Sequence, residues 1–375
     1  MSVITRSALS LASIALFAVT ANAAPHAPAL DPPAILQAPE AASGSRFFAA
    51  SEAGAQVEWT LHESSDGAHP NADEQSLLWL MNRARQDPAV EGVFLASVDD
   101  PDVQSALGYF DVDLGVLMQE FAAIAAKPPA AFDARLYAAA RDHSLYLIAN
   151  DAQNHNGQFD RVASAGFHAW GMRGNVFSYA DSALYGHAGF NVDWGGSDGT
   201  GMQAGRGHRL AIMSIDGDYT NVGLAAVPEA NSATSVGPLV VTGNYANAAT
   251  SYANHYNRFL VGTVWEDLDG NDRYDPGEGI AGVDVVPSTG AYFAVTGAAG
   301  GYAIPLPAAV AAGPVAVSFS GGDVPSHTTV LDVGASSELV DYEVTEEFVP
   351  EPNAVAAGTI AMLALALLRK KIIRG

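Results

Sequence analysis

At Phe259 the texture of the chain changes, and that change limits what it can fold into more than any other feature. Before Phe259, apolar residues recur at helical spacing in three runs, followed by a loop-rich stretch and two strand-like segments; after it, apolar residues alternate between glycines. A period near 3.6 and a period of 2 bury different surfaces. The pattern therefore predicts an α+β unit over 73–250 and an all-β unit over 260–345.

The first helical run is Asp73 to Val90, where Leu77, Leu78, Leu80, Met81 and Ala84 form a stripe. Asp73 or Asn71 is the candidate cap, and Pro88 the expected terminator. The second run is Leu114 to Ala126. Lys127-Pro128-Pro129 breaks the chain before the third, Asp133 to Ala149, and a short helix is expected at Phe159 to Ala165. Tyr219 to Val227 and Pro238 to Tyr245 read as an antiparallel pair.

Composition narrows the chemistry. The chain carries 41 acidic against 17 basic residues, a net charge of −24, which repels phosphate backbones and excludes nucleic acid as a natural partner. It has no cysteine, so neither disulfides nor thiolate chemistry is available, and any catalysis must use His, carboxylates or hydroxyls. Five of the ten histidines, His143, His155, His168, His187 and His208, fall between His143 and Val227. A site is expected there.

The order of motifs resembles the CAP superfamily, the secreted fold of cysteine-rich secretory proteins, antigen 5 and plant pathogenesis-related proteins. The resemblance rests on Leu77 to Arg85, Pro128 to Leu136, Ala139 to Ser144, Asn154-His155-Asn156-Gly157 and Gly207 to Ser214, with an insertion at roughly 92–127. It implies an α-β-α sandwich with a cleft carrying two histidines and two glutamates. The matching histidines are His155 and His208. One motif glutamate aligns with Gly174, and no acidic residue stands clearly at the second position, near Ala188 and ahead of Trp194. His187 lies close to that position and is a candidate third ligand for zinc. The plainer alternative is that these histidines are ordinary polar groups lining a groove. The missing glutamate removes the obvious general base and argues against hydrolysis. Arg206 and Arg209 flank His208; they either only hold the loop or bind an anionic ligand.

The second unit opens with an acidic run. With Asp267 as position 1, Asp269, Asn271, Arg273, Asp275 and Glu278 fall at 3, 5, 7, 9 and 12, the spacing of oxygen ligands in a calcium loop. Position 6, usually glycine, is Asp272. The flanks, Leu260 to Trp265 and Ile280 to Val286, alternate like strands. The run Gly262 to Asn271, with Gly277 to Val285 and Ala299 to Tyr302, resembles the calcium-binding B-type repeat of surface adhesins. That resemblance implies an immunoglobulin-like β-sandwich stiffened by calcium.

The ends carry export signals. Arg6, the apolar run Leu9 to Val19 and Ala21-Asn22-Ala23 read as a signal peptide over 1–23, and the Pro- and Ala-rich residues that follow predict a flexible lead-in over 24–72. Val349 to Asn353, an uncharged run from Ala354 to Leu368, and then Arg369, Lys370, Lys371 and Arg374 resemble a PEP-CTERM sorting segment over 349–375. That implies exosortase-type machinery as a partner and membrane contact through the C-terminal segment. The expected protein is exported and envelope-sorted, a surface or matrix binding protein with a β-sandwich spacer. The rivals are a metal-dependent extracellular hydrolase or peptidase using His155 and His208, and a structural adhesion module with an inert cleft.

Overall fold

The computed structural model describes residues 34–37, 55–196 and 198–345, and the fold is mixed α+β with eight α-helices among them. The signal peptide, part of the lead-in and the sorting segment lie outside these residues. Among the described residues no helix is long and apolar enough to cross a membrane.

In chain order the elements before Phe259 run β1 (Ala34–Gln37) and β2 (Val57–Glu58) in the lead-in, then α1 (Ala72–Gln86), α2 (Pro88–Ser97), α3 (Pro101–Tyr109), α4 (Leu114–Ala122), β3 (Ala131–Phe132), α5 (Ala134–Ala149), α6 (Gln158–Ser164), β4 (Ala169–Ala180) and α7 (Ala183–Ala188). A π-helical turn at Gly189–Asp193 follows, then α8 (Gly207–Ile212), β5 (Asn221–Pro228) and β6 (Leu239–Ala248). The sheet order is β1-β4-β6-β5-β3, with β5 and β6 antiparallel, as expected of two strands joined by one polar loop.

The stripe on α1 is buried, with Met81 and Ala84 fully so, and it packs into the same core as Tyr137 of α5 and Leu224 of β5. Asn71 caps α1 in a reciprocal box: its side chain accepts from Glu74 N while Glu74 Oε2 accepts from Asn71 N. The helix expected to reach Val90 stops at Gln86, and Pro88 begins a new helix instead of merely ending one. The reason is local. Asp87 accepts from Val90 N and so caps α2, and proline at the first helical position has no N–H to lose.

The second unit contains β7 (Phe259–Trp265), β8 (Val283–Pro287), β9 (Tyr292–Val295), β10 (Gly301–Pro305), β11 (Gly313–Gly321), β12 (His327–Val333), β13 (Glu338–Leu339) and β14 (Tyr342–Glu343). One sheet has the order β10-β7-β13, with β14 also on β7; the other is β12-β11-β8-β9-β2. A core of its own, including Leu260, Val264, Val285, Ile304, Val317 and Phe319, lies among these strands.

The lead-in needs correction where it is described. β1 pairs antiparallel with β4 and β2 pairs in parallel with β9, while Trp59 and His62 are buried. These residues bridge the two units. Trp59 meets Tyr256 and Tyr292 edge-on at 5.5 and 5.2 Å, and His62 lies 2.6 Å from the Trp59 carbonyl and 2.8 Å from that of Val295.

Candidate functional site

The histidine region is built around β4, whose Gly174 and Asn175 lie next to α6 and α8. A Cβ on Gly174 would stand 2.5 Å from Nε2 of Gln158, so the amide of Gln158 fills the space where the motif glutamate was expected. That amide is fully engaged. Its Nε2 donates to Asn244 Oδ1 at 2.9 Å, and its Oε1 lies 2.6 Å from His155 Nδ1. A neutral amide thus holds Nδ1 of His155.

His208 has the carboxylate partner that sequence reading missed. Asp193 ends the π-helical turn, adopts φ 59, and accepts from both the backbone N (2.9 Å) and Nδ1 (2.8 Å) of His208. It thereby does for the start of α8 what Arg206, in the left-handed region with no side-chain cap, does not. The only sequence signal was its place directly ahead of Trp194. With Nδ1–H donated to Asp193, Nε2 carries the lone pair, and it has no hydrogen-bond partner. Phe190 stacks on the ring at 6.1 Å, and Asn175 Nδ2 donates to the His208 carbonyl. Such an imidazole is oriented for a metal or for proton transfer. Both partners, however, are fully buried.

His187 does not join them. Its Nε2 donates to Glu91 Oε1 at 2.8 Å, and Glu91 also takes Arg83 at 2.5 Å, where α1 packs on both α7 and α2. Burial pushes the Glu91 carboxyl up, but His187 and Arg83 outweigh it and hold it below its ordinary range. The expectation of a third zinc ligand is therefore corrected: the ring is committed to a buried carboxylate. The three histidines do not form a convergent ligand group.

Of the two readings of Arg206 and Arg209, the structure shows the contacts of the first, holding the loop. Both residues border a groove of about 350 Å³, but Glu120 accepts from both, at 2.9 Å from Arg206 and 2.5 Å from Arg209, and Asp198 pairs with Arg206 at 2.6 Å. Arg209 also donates to the carbonyls of Asn191 and Val192. An anion would have to displace two carboxylates that already balance the two guanidiniums.

Among the described residues the one convergent group of metal-ligating side chains is in the second unit. Ligand oxygens of Asp267, Asp269 and Glu278 lie within 4.8 Å of one another. The loop is closed at its base by Glu266 N donating to the Glu278 carbonyl, and Leu268 N donates to Glu278 Oε1. Asp267 accepts from the backbone N of Asp272, Gly270 and Asn271, which holds its carboxyl below the usual range. Position 6 takes the left-handed conformation, Asp272 at φ 58, where aspartate is the best-tolerated substitute for glycine after asparagine. Asn271 sends Nδ2 to Asp269 and Asp275, while its Oδ1 is buried without a partner. Asp275 N donates to Glu278 Oε2. The Arg273 side chain turns away to the Phe94 ring, which leaves its backbone carbonyl as the group that position 7 would supply.

These donors fit a hard cation. The loop positions offer only oxygens, four of them carboxylates of which three already converge, and half a turn about the last torsion of Asn271 would exchange its nitrogen for the unpartnered oxygen. No protein-family model matches the chain, and no curated protein matches it.

Proposed function

We propose that this is an exported, envelope-sorted surface-binding protein of CAP type, whose second unit is a calcium-binding B-type β-sandwich. The observation that carries the reading is the convergence of Asp267, Asp269 and Glu278 within 4.8 Å, from positions 1, 3 and 12 of the loop. Three carboxylates this close repel one another, and a divalent cation removes that cost. The CAP-type reading is supported by the five-stranded sheet with helices packed on it, by His208, whose carbonyl accepts from Asn175 of β4, and by Gln158, which links His155 to β6. A binding role is favoured over hydrolysis because Gln158 brings an amide where a general base would be needed, and because His208 is fully buried.

Calcium stabilises the folded chain by an amount that grows with its excess over the dissociation constant, reaching about 4 kcal/mol at a thousandfold excess. Heating the full chain with millimolar calcium and with chelator should give melting midpoints several degrees apart. Superimposable melts would sink the calcium reading.

A second reading, a metal-dependent hydrolase, rests on one observation: His208 Nε2 is unpartnered while Asp193 holds Nδ1. Zinc titration by calorimetry of the full chain, beside His208→Ala and His155→Ala, tests it. Saturable zinc binding lost in both variants would support this reading, and no zinc binding by the wild type would end it.

A further inference from the structure

The loop that carries the carboxylates also touches the first unit. Arg273 stands at its midpoint, makes no ion pair among the described residues, and places its guanidinium 5.1 Å from the centroid of Phe94 on α2. Phe94 receives a second cation there, with Arg83 of α1 at 4.2 Å. Arg83 is fixed in turn by Glu91, and it lies 5.4 Å from the ring of Trp79. Trp79 meets Trp265 edge-on across the seam at 6.1 Å, and Trp265 meets Tyr274 at 6.3 Å. Tyr274, next to Arg273, is buried and donates to the Ala299 carbonyl, so the loop is anchored in its own unit while Arg273 reaches into the other.

We propose that cation binding in the Asp267–Glu278 loop is coupled to the docking of the two units, through Arg273 on Phe94. This rests on the calcium reading above. Without a cation, the clustered carboxylates favour a more open loop, and opening withdraws Arg273 from Phe94. With a cation, the closed loop that presents Arg273 is favoured. Because the contact exists in one state and not the other, it must favour cation binding by the same factor by which the cation favours docking.

The test uses the full chain and calcium alone as the probe. Calorimetry is run on the wild type, Phe94→Leu, Arg273→Gln and the double variant, with hydrogen exchange of the α2 amides measured with and without calcium. Cation–π contacts of this kind correspond to roughly two- to fivefold in an equilibrium constant. Each single variant is expected to bind calcium weaker by that factor, and the double variant no weaker than either single, because the one contact between the units that both remove is Arg273 on Phe94. Calcium should slow exchange in α2 of the wild type and not of the variants. Unchanged affinity in both single variants, with α2 exchange indifferent to calcium, overturns the coupling while leaving the calcium site standing. A wild type that binds no calcium overturns the calcium reading and the coupling with it.

Discussion

His143 is fully buried on α5, and its Nε2–H donates to the Asn154 carbonyl at 2.9 Å while Nδ1 has no partner. That geometry satisfies a neutral ring and leaves no acceptor for a second proton. Burial, with Arg161 and His155 nearby, brings its pKa down to about 4. The unfolded chain takes up that proton near pH 6.5. Between pH 6.5 and about 4 the unfolded state therefore binds more protons than the folded one, so stability falls as pH falls through that window and is unaffected above it. The loss from this group is at most about 3 kcal/mol. Denaturant titrations at pH 7 and 4.5 should show a smaller acid loss in His143→Gln than in the wild type; equal losses would refute the assignment. Not every partner at this scale was legible. His155 and His208 stand in recognisable motifs, but nothing local marks Gln158 as the filler of the Gly174 vacancy, or Asp193 as the carboxylate behind His208.

Among elements, the helices were the most legible, because caps and stripes act within four residues. The third helical run forms at Ala134–Ala149 with Asp133 capping it, and the run from Leu114 ends at Ala122, four residues short. β4 shows the opposite case. Met172 to Ser178 are all buried, so the strand lacks the alternation that marks a half-exposed one, and its glycines and asparagine resemble loop sequence. The cap of α1 gives a test at this scale. Asn71→Ala should cost about 1 kcal/mol, the usual value of an N-cap. Glu74→Ala should cost more, because that buried carboxylate also holds His69 at 2.7 Å and faces Ala226 N. Thermal or denaturant unfolding of the two variants gives the order directly, and the reverse order would show that Glu74 is not the centre of this network.

Across the whole molecule, the second unit is not strung on a loose connection. Ala131, Phe259, Val261 and Ala303 form a small core spanning both units, and Gln75 Nε2 of α1 donates to Thr263 Oγ1 of β7 at 2.8 Å. Asn257, in the connection, is held by Asn247, Ala248, Thr220 and Asn221. A connection built this way fixes the orientation of the second unit as well as its distance. The sequence by itself determined what depends on near neighbours: the helical stripes, the strand alternation after Phe259, and the acidic spacing that lets Asp267, Asp269 and Glu278 meet. Tertiary structure alone decided which charges are already spent. Asp193 reaches His208 across 15 residues, Glu120 reaches Arg206 across 86, and Glu91 reaches His187 across 96. Residues so far apart meet only because helices and sheet pack in one arrangement, and a buried charge must find whatever partner that packing brings to it.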